Sequence, residues 1–191
     1  MSEGTREQSI RETLQQLSIE ELAEATNKFL SSLEQRYPAT TAPSSRETLI
    51  SMGNLYFNEF IPLWNEWGRR QHADPNYQRE KHFPLIQSLQ GQMPVDLTEE
   101  LTELRRRQAK SSDWDPEKDG VRLRFLQKIK DFYNQGGKLP FPLLNFCLNN
   151  GEAIRELRRS LWKKQTTEGL RPEEVKFLQF LENSGVKEIL D

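Results

Sequence analysis

The sequence predicts an all-α fold, a helical bundle of about seven to nine helices, and three observations predict it. Helix-start signatures recur along the chain: Ser9 with Glu12, Ser18 with Glu21, Ser44 with Glu47 and Asp96 with Glu99. Each places a side-chain acceptor three residues before a carboxylate, the spacing that satisfies unpaired amides at a helix start. Apolar residues return at three- and four-residue steps, most densely between Leu49 and Trp67. Strand signals are missing, because no segment sustains an alternation of apolar and polar residues rich in Val, Ile and Thr between hairpin turns.

Taken in order, these signals place helices over 9–17, 19–36, 45–72, 77–90, 97–110, 116–135, 141–150, 152–165 and 172–184. Pro and Gly mark the connectors: Tyr37 to Pro43 with two prolines, Gln92-Met93-Pro94, and Gly136-Gly137-Lys138-Leu139-Pro140. The segment 45–72 is the expected centre of the fold. Leu49, Met52, Tyr56, Phe60, Leu63 and Trp67 form one apolar stripe, and Ile50, Phe57, Ile61 and Trp64 form a second beside it. A helix apolar over that much of its circumference packs on two sides. Pro62 lies inside the pattern and cannot donate to the carbonyl of Asn58, which predicts a kink or break.

A chain of 191 residues is long enough to bury a substantial core as one domain. Two lobes are the alternative, an acidic one over 1–92 and one over 96–191 that contains a basic segment. The mean hydropathy is −0.82. Ten Phe, 4 Trp and 4 Tyr nevertheless point to a packed core, since disordered chains are poor in aromatics. Met1 to Arg6 runs directly into charged residues, and no apolar run approaches the length of a membrane span, so the expectation is a cytoplasmic protein with no membrane association. One cysteine, Cys147, forms no internal disulfide and suits a reducing compartment.

A search for chemistry gives little. His72, His82 and Cys147 are too few for a structural zinc site, which takes about four such ligands. Asp115, Glu117, Asp119 and Gly120 match positions one, three, five and six of a calcium loop, but the twelfth position is Leu126 where a bidentate glutamate belongs. The segment reads better as an acidic lead into a helix amino end. Cys147, among Leu143, Leu144, Phe146 and Leu148, reads as a core residue, and Gly136-Gly137 reads as a helix stop because no strand precedes it as a phosphate loop requires. These readings predict no catalytic residue, no metal and no cofactor.

Charge is the remaining signal. The net charge is −2 but unevenly spread: residues 1–100 carry −6, residues 101–165 carry +7 and residues 166–191 carry −3. Within 152–165, Ile154, Leu157 and Leu161 share one helix face, while Arg155, Arg159 and Lys163 step along another. The candidate partner-binding residues are therefore Arg105, Arg106, Arg107, Arg155, Arg158, Arg159, Trp162 and Lys163. The competing reading is an ordinary solvated face, with Glu152 and Glu156 pairing to Arg155 and Arg159 at three-residue spacing. Trp114, in an acidic loop, reads as a residue folded back over its own helices. The expected function is a non-enzymatic interaction module, such as an adaptor, assembly factor or regulatory subunit, that docks an acidic protein through the basic helical face. The alternative is a nucleic-acid-binding subunit contacting phosphates through residues 101–165, with Leu143 to Ser160 as a loose helix-turn-helix bent at Gly151.

Overall fold

The computed structural model describes residues 3–37, 44–74 and 93–191, with side chains from residue 8 onward. Among the described residues the protein is all-α. Its elements are α1 (Glu3–Gln16), α2 (Ile19–Arg36), α3 (Arg46–Leu55), a π-helical turn (Tyr56–Phe60), α4 (Ile61–Ala73), α5 (Val95–Lys110), α6 (Lys118–Asn134), α7 (Phe141–Thr167), α8 (Pro172–Asn183) and α9 (Val186–Leu190). The helix expected over 77–90 lies outside the described residues. No described helix is long and apolar enough to cross a membrane.

The helix starts show which capping signatures operate. Ser18 and Glu21 form a complete capping box, the hydroxyl accepting from the Glu21 amide at 3.1 Å and the carboxylate accepting from the Ser18 amide at 2.7 Å. For α3 the cap is Ser45, one residue later than expected, and it accepts from the Thr48 amide. Ser9 and Asp96 are not caps, because α1 already runs through Ser9 and Pro94 precedes α5. Their spacing matches a cap by coincidence of composition, since a Ser or Asp three residues before Glu also occurs inside helices.

The chain divides into two compact units, Met1–Pro84 with Glu152–Phe180, and Leu85–Gly151 with Leu181–Asp191; the divisions fall within α7 and within α8. In the first unit the core is aromatic. Phe29 of α2 stacks on Phe60 with centroids 5.3 Å apart, Tyr56 meets Phe60 edge-on at 6.1 Å, and Tyr56 stacks on Phe180 of α8 at 6.1 Å. Both predicted stripes of 45–72 are used: Leu49, Tyr56, Phe60, Leu63 and Trp67 are buried, and Phe57, Ile61 and Trp64 are half-buried. Trp67 donates its indole hydrogen to the Thr26 hydroxyl at 3.2 Å, and that hydroxyl donates to the Leu22 carbonyl at 2.8 Å, so the buried polar atoms are matched. Gly53 is required by closeness, since a Cβ there would lie 2.4 Å from the Phe177 ring.

Pro62 does not break the helical path. The disturbance takes the form of the π turn, in which the Ile61 amide reaches back five residues to the Tyr56 carbonyl. Pro62 then sits in the first turn of α4, where a missing amide hydrogen costs little.

In the second unit, Leu101 and Leu104 of α5, Leu126, Ile129 and Tyr133 of α6, and Ile189 of α9 are buried. Gly136, at φ 84°, ends α6 as expected: its amide bonds the Tyr133 carbonyl, and that of Gly137 bonds the Phe132 carbonyl. Cys147 is fully buried, and burial pushes its thiol well above its ordinary range, which disfavours the thiolate. The short helix α9 has no counterpart in the predicted elements; five residues give too little periodicity to read.

The turn expected at Gly151 does not form. Gly151 is inside α7, which runs unbroken from Phe141 to Thr167 where two helices over 141–150 and 152–165 were expected. The glycines with positive φ are Gly136, Gly169 and Gly185, so Gly151 keeps helical geometry. The apolar spacing that carries Phe146 into Ile154, Leu157 and Leu161 is continuous across it, and packing along that stripe outweighs the cost of about 1 kcal/mol of a helical glycine.

Candidate docking surface

The candidate basic residues fall into two groups, Arg105 to Arg107 in the second unit and Arg155 to Lys163 in the first. They differ in what holds them.

Along α5, Arg106 forms a two-point pair with Glu103 one turn earlier, at 2.7 and 2.8 Å. Arg107 donates to the Asp119 carboxylate at 2.7 Å and to the Asp113 carbonyl at 3.4 Å. Arg105 donates to the Gln127 side chain. Arg122 of α6 makes a two-point pair with Glu100 at 2.7 and 2.8 Å. Asp119 also accepts from the Asp115 amide, and Asp115 accepts from the amides of Glu117 and Lys118. The acidic run that resembles a calcium loop is thus an internally bonded entry to α6, and Trp114 is half-buried with its ring near Gly120. Among the described residues no group of three or more His, Cys, Asp or Glu converges as a metal site would require. His72 is exposed, and His82 lies outside the described residues.

The α7 group is built differently. Ile154, Leu157 and Leu161 are buried and fix the helix, which leaves Arg159, Trp162 and Lys163 exposed and Arg155 half-buried. Arg155 pairs with Glu152 at 3.0 Å, one of the two ordinary surface pairs expected. Glu156 and Arg159 do not make the other. Arg159 and Lys163 are exposed and ion-pair with no other described residue. Arg158 is buried, its guanidinium 4.7 Å from the centroid of the Trp162 ring, so it stiffens the tryptophan from beneath. Trp162 itself remains 44% exposed.

One cation of the basic segment is engaged by a buried carboxylate on the next helix. Lys164 donates to both oxygens of Glu174, at 3.1 and 2.8 Å. Glu174 is fully buried on the first turn of α8 and also accepts from Arg46 at 3.0 Å, from the Arg171 amide at 2.9 Å and from the Arg171 side chain at 3.3 Å. Burial pushes this carboxyl up, but the bonds from Lys164, Arg171 and Arg46 outweigh it and hold it down at about 2. The hub carried no local sequence signal, since Arg46 and Glu174 are 128 residues apart.

These features define an all-α protein with a helical basic face carrying an exposed tryptophan. No protein-family model matches the chain, no curated protein matches it significantly, and no solved structure matches it significantly.

Proposed function

We propose that the protein is a non-enzymatic interaction module, an adaptor, assembly factor or regulatory subunit of the cytoplasm, that docks an acidic protein partner on the outward face of α7. The observation that carries this reading is the coincidence on one exposed stripe of Trp162 with two cations, Arg159 and Lys163, that no described carboxylate neutralises. Tryptophan and arginine are the side chains that most often dominate association energies, and uncommitted charge steers an oppositely charged partner. The triplet Arg105 to Arg107 is secondary in this reading, because intramolecular acceptors hold it. A single cysteine, Cys147, which forms no internal disulfide, suits a reducing compartment.

The test is a titration with a glutamate-rich peptide, followed by tryptophan emission and compared with a Trp162→Phe variant that isolates the signal of this ring. The expected outcome is saturable binding, weakened at moderate salt and reduced about tenfold or more by Arg159→Glu with Lys163→Glu. Equal binding by parent and double variant would remove the reading.

A further inference from the structure

Resting on the docking face just proposed, we infer that the partner is read by an acidic segment carrying an aromatic side chain, with Trp162 as the ring on which that side chain packs. Two things on the face have to be matched at once. One is charge: exposed Arg159 and Lys163 are four residues apart, about 6 Å along the axis, a spacing that carboxylates one helical turn apart reproduce. The other is apolar surface: Trp162 is 44% exposed, and the buried Arg158 guanidinium, 4.7 Å from its ring centroid, restrains the ring before any partner arrives. A ring held in place loses little freedom on binding, and stacking on it adds to the charge attraction. A purely acidic chain satisfies only the first of these features, and a purely apolar one only the second.

Single-stranded nucleic acid also joins negative charge to aromatic rings. The face favours a peptide because Glu152, with 65% of its side chain exposed, and exposed Glu156 border the stripe. A continuous phosphate backbone meets these carboxylates as repulsion, whereas discrete side-chain carboxylates are spaced to avoid them.

The experiment compares three probes on the full chain: a short peptide of glutamate and alanine, the same peptide with one central phenylalanine, and a single-stranded oligonucleotide of mixed sequence. The phenylalanine peptide is expected to bind about tenfold more tightly than the plain acidic peptide, and Trp162→Ala to abolish that difference. Equal affinity for the two peptides would overturn the inference and leave the acidic docking face standing. Binding of neither peptide would overturn both. Tighter binding of the oligonucleotide, lost in Trp162→Ala, would replace the peptide with a nucleic acid. Unchanged circular dichroism and melting of Trp162→Ala keep the comparison valid, and Trp162→Phe, expected to retain at least half of the phenylalanine advantage, serves as a second variant.

Discussion

The arginines of α5 and the cations of α7 both form basic clusters along the chain and differ in what surrounds them. Arg106 has Glu103 one turn away, Arg107 has Asp119 on the next helix, and Arg105 has Gln127. Arg159 has Glu156 at the same three-residue spacing as Arg106 has Glu103, yet no pair forms, and Lys163 has no described carboxylate at all. Spacing alone therefore does not decide whether a surface cation is engaged. An arginine held at two points gives up hydrogen-bonding capacity that a partner would need, whereas an exposed, uncommitted one keeps both its donors and its field.

This contrast is sharpest where a buried carboxylate engages several cations. Replacing Glu174 by Gln removes the charge that Arg46, Lys164 and Arg171 share, and we expect it to cost about 3 kcal/mol, the lower end of the range for breaking a buried pair because the cations retain some solvent. Thermal or urea unfolding checks it. The same carboxylate sets an acid limit. Its pKa in the folded chain, about 2, lies below its ordinary 4.5, so its stabilisation is complete above about 4.5 and is lost as pH falls toward 2. Urea midpoints measured down this range should fall more steeply for the parent than for Glu174→Gln; parallel profiles would show that the hub contributes nothing.

A smaller effect is expected at Asp119, which is buried and accepts from both Arg107 and the Asp115 amide. Asp119→Ala strands these two donors at the entry to α6, at a cost of about 1–2 kcal/mol by the same unfolding measurement. If stability is unchanged, Arg107 is less firmly held than its 2.7 Å bond implies, and the distinction between the α5 and α7 groups weakens.

What the sequence made legible follows from the range of each interaction. The all-α fold, the capping box at Ser18, the central aromatic segment and the helix stop at Gly136 all depend on neighbours within about one or two helical turns, and periodicity records them. The outward orientation of Arg159 and Lys163 was legible for the same reason, because Ile154, Leu157 and Leu161 fix the opposite face. The engagement of Lys164 by Glu174 and of Arg107 by Asp119 depends on which helices meet, and no local pattern encodes that. Gly151 misled by the converse route. A glycine has the freedom to end a helix, but in α7 the apolar stripe on either side of it continues in register and holds the helix through.

The smallest expected effect is also the one that separates the two groups of cations most cleanly. Arg159→Ala with Lys163→Ala removes two exposed charges that bond to nothing described, so stability should stay within about 0.5 kcal/mol of the parent. If these residues instead took part in ion pairs that hold the fold, their loss would lower the unfolding midpoint, as Asp119→Ala is expected to do. A double variant that melts with the parent yet loses affinity for the acidic peptide assigns the α7 cations to binding, since a charge that stabilises neither the helix nor its neighbours has only an external counterpart left to act on.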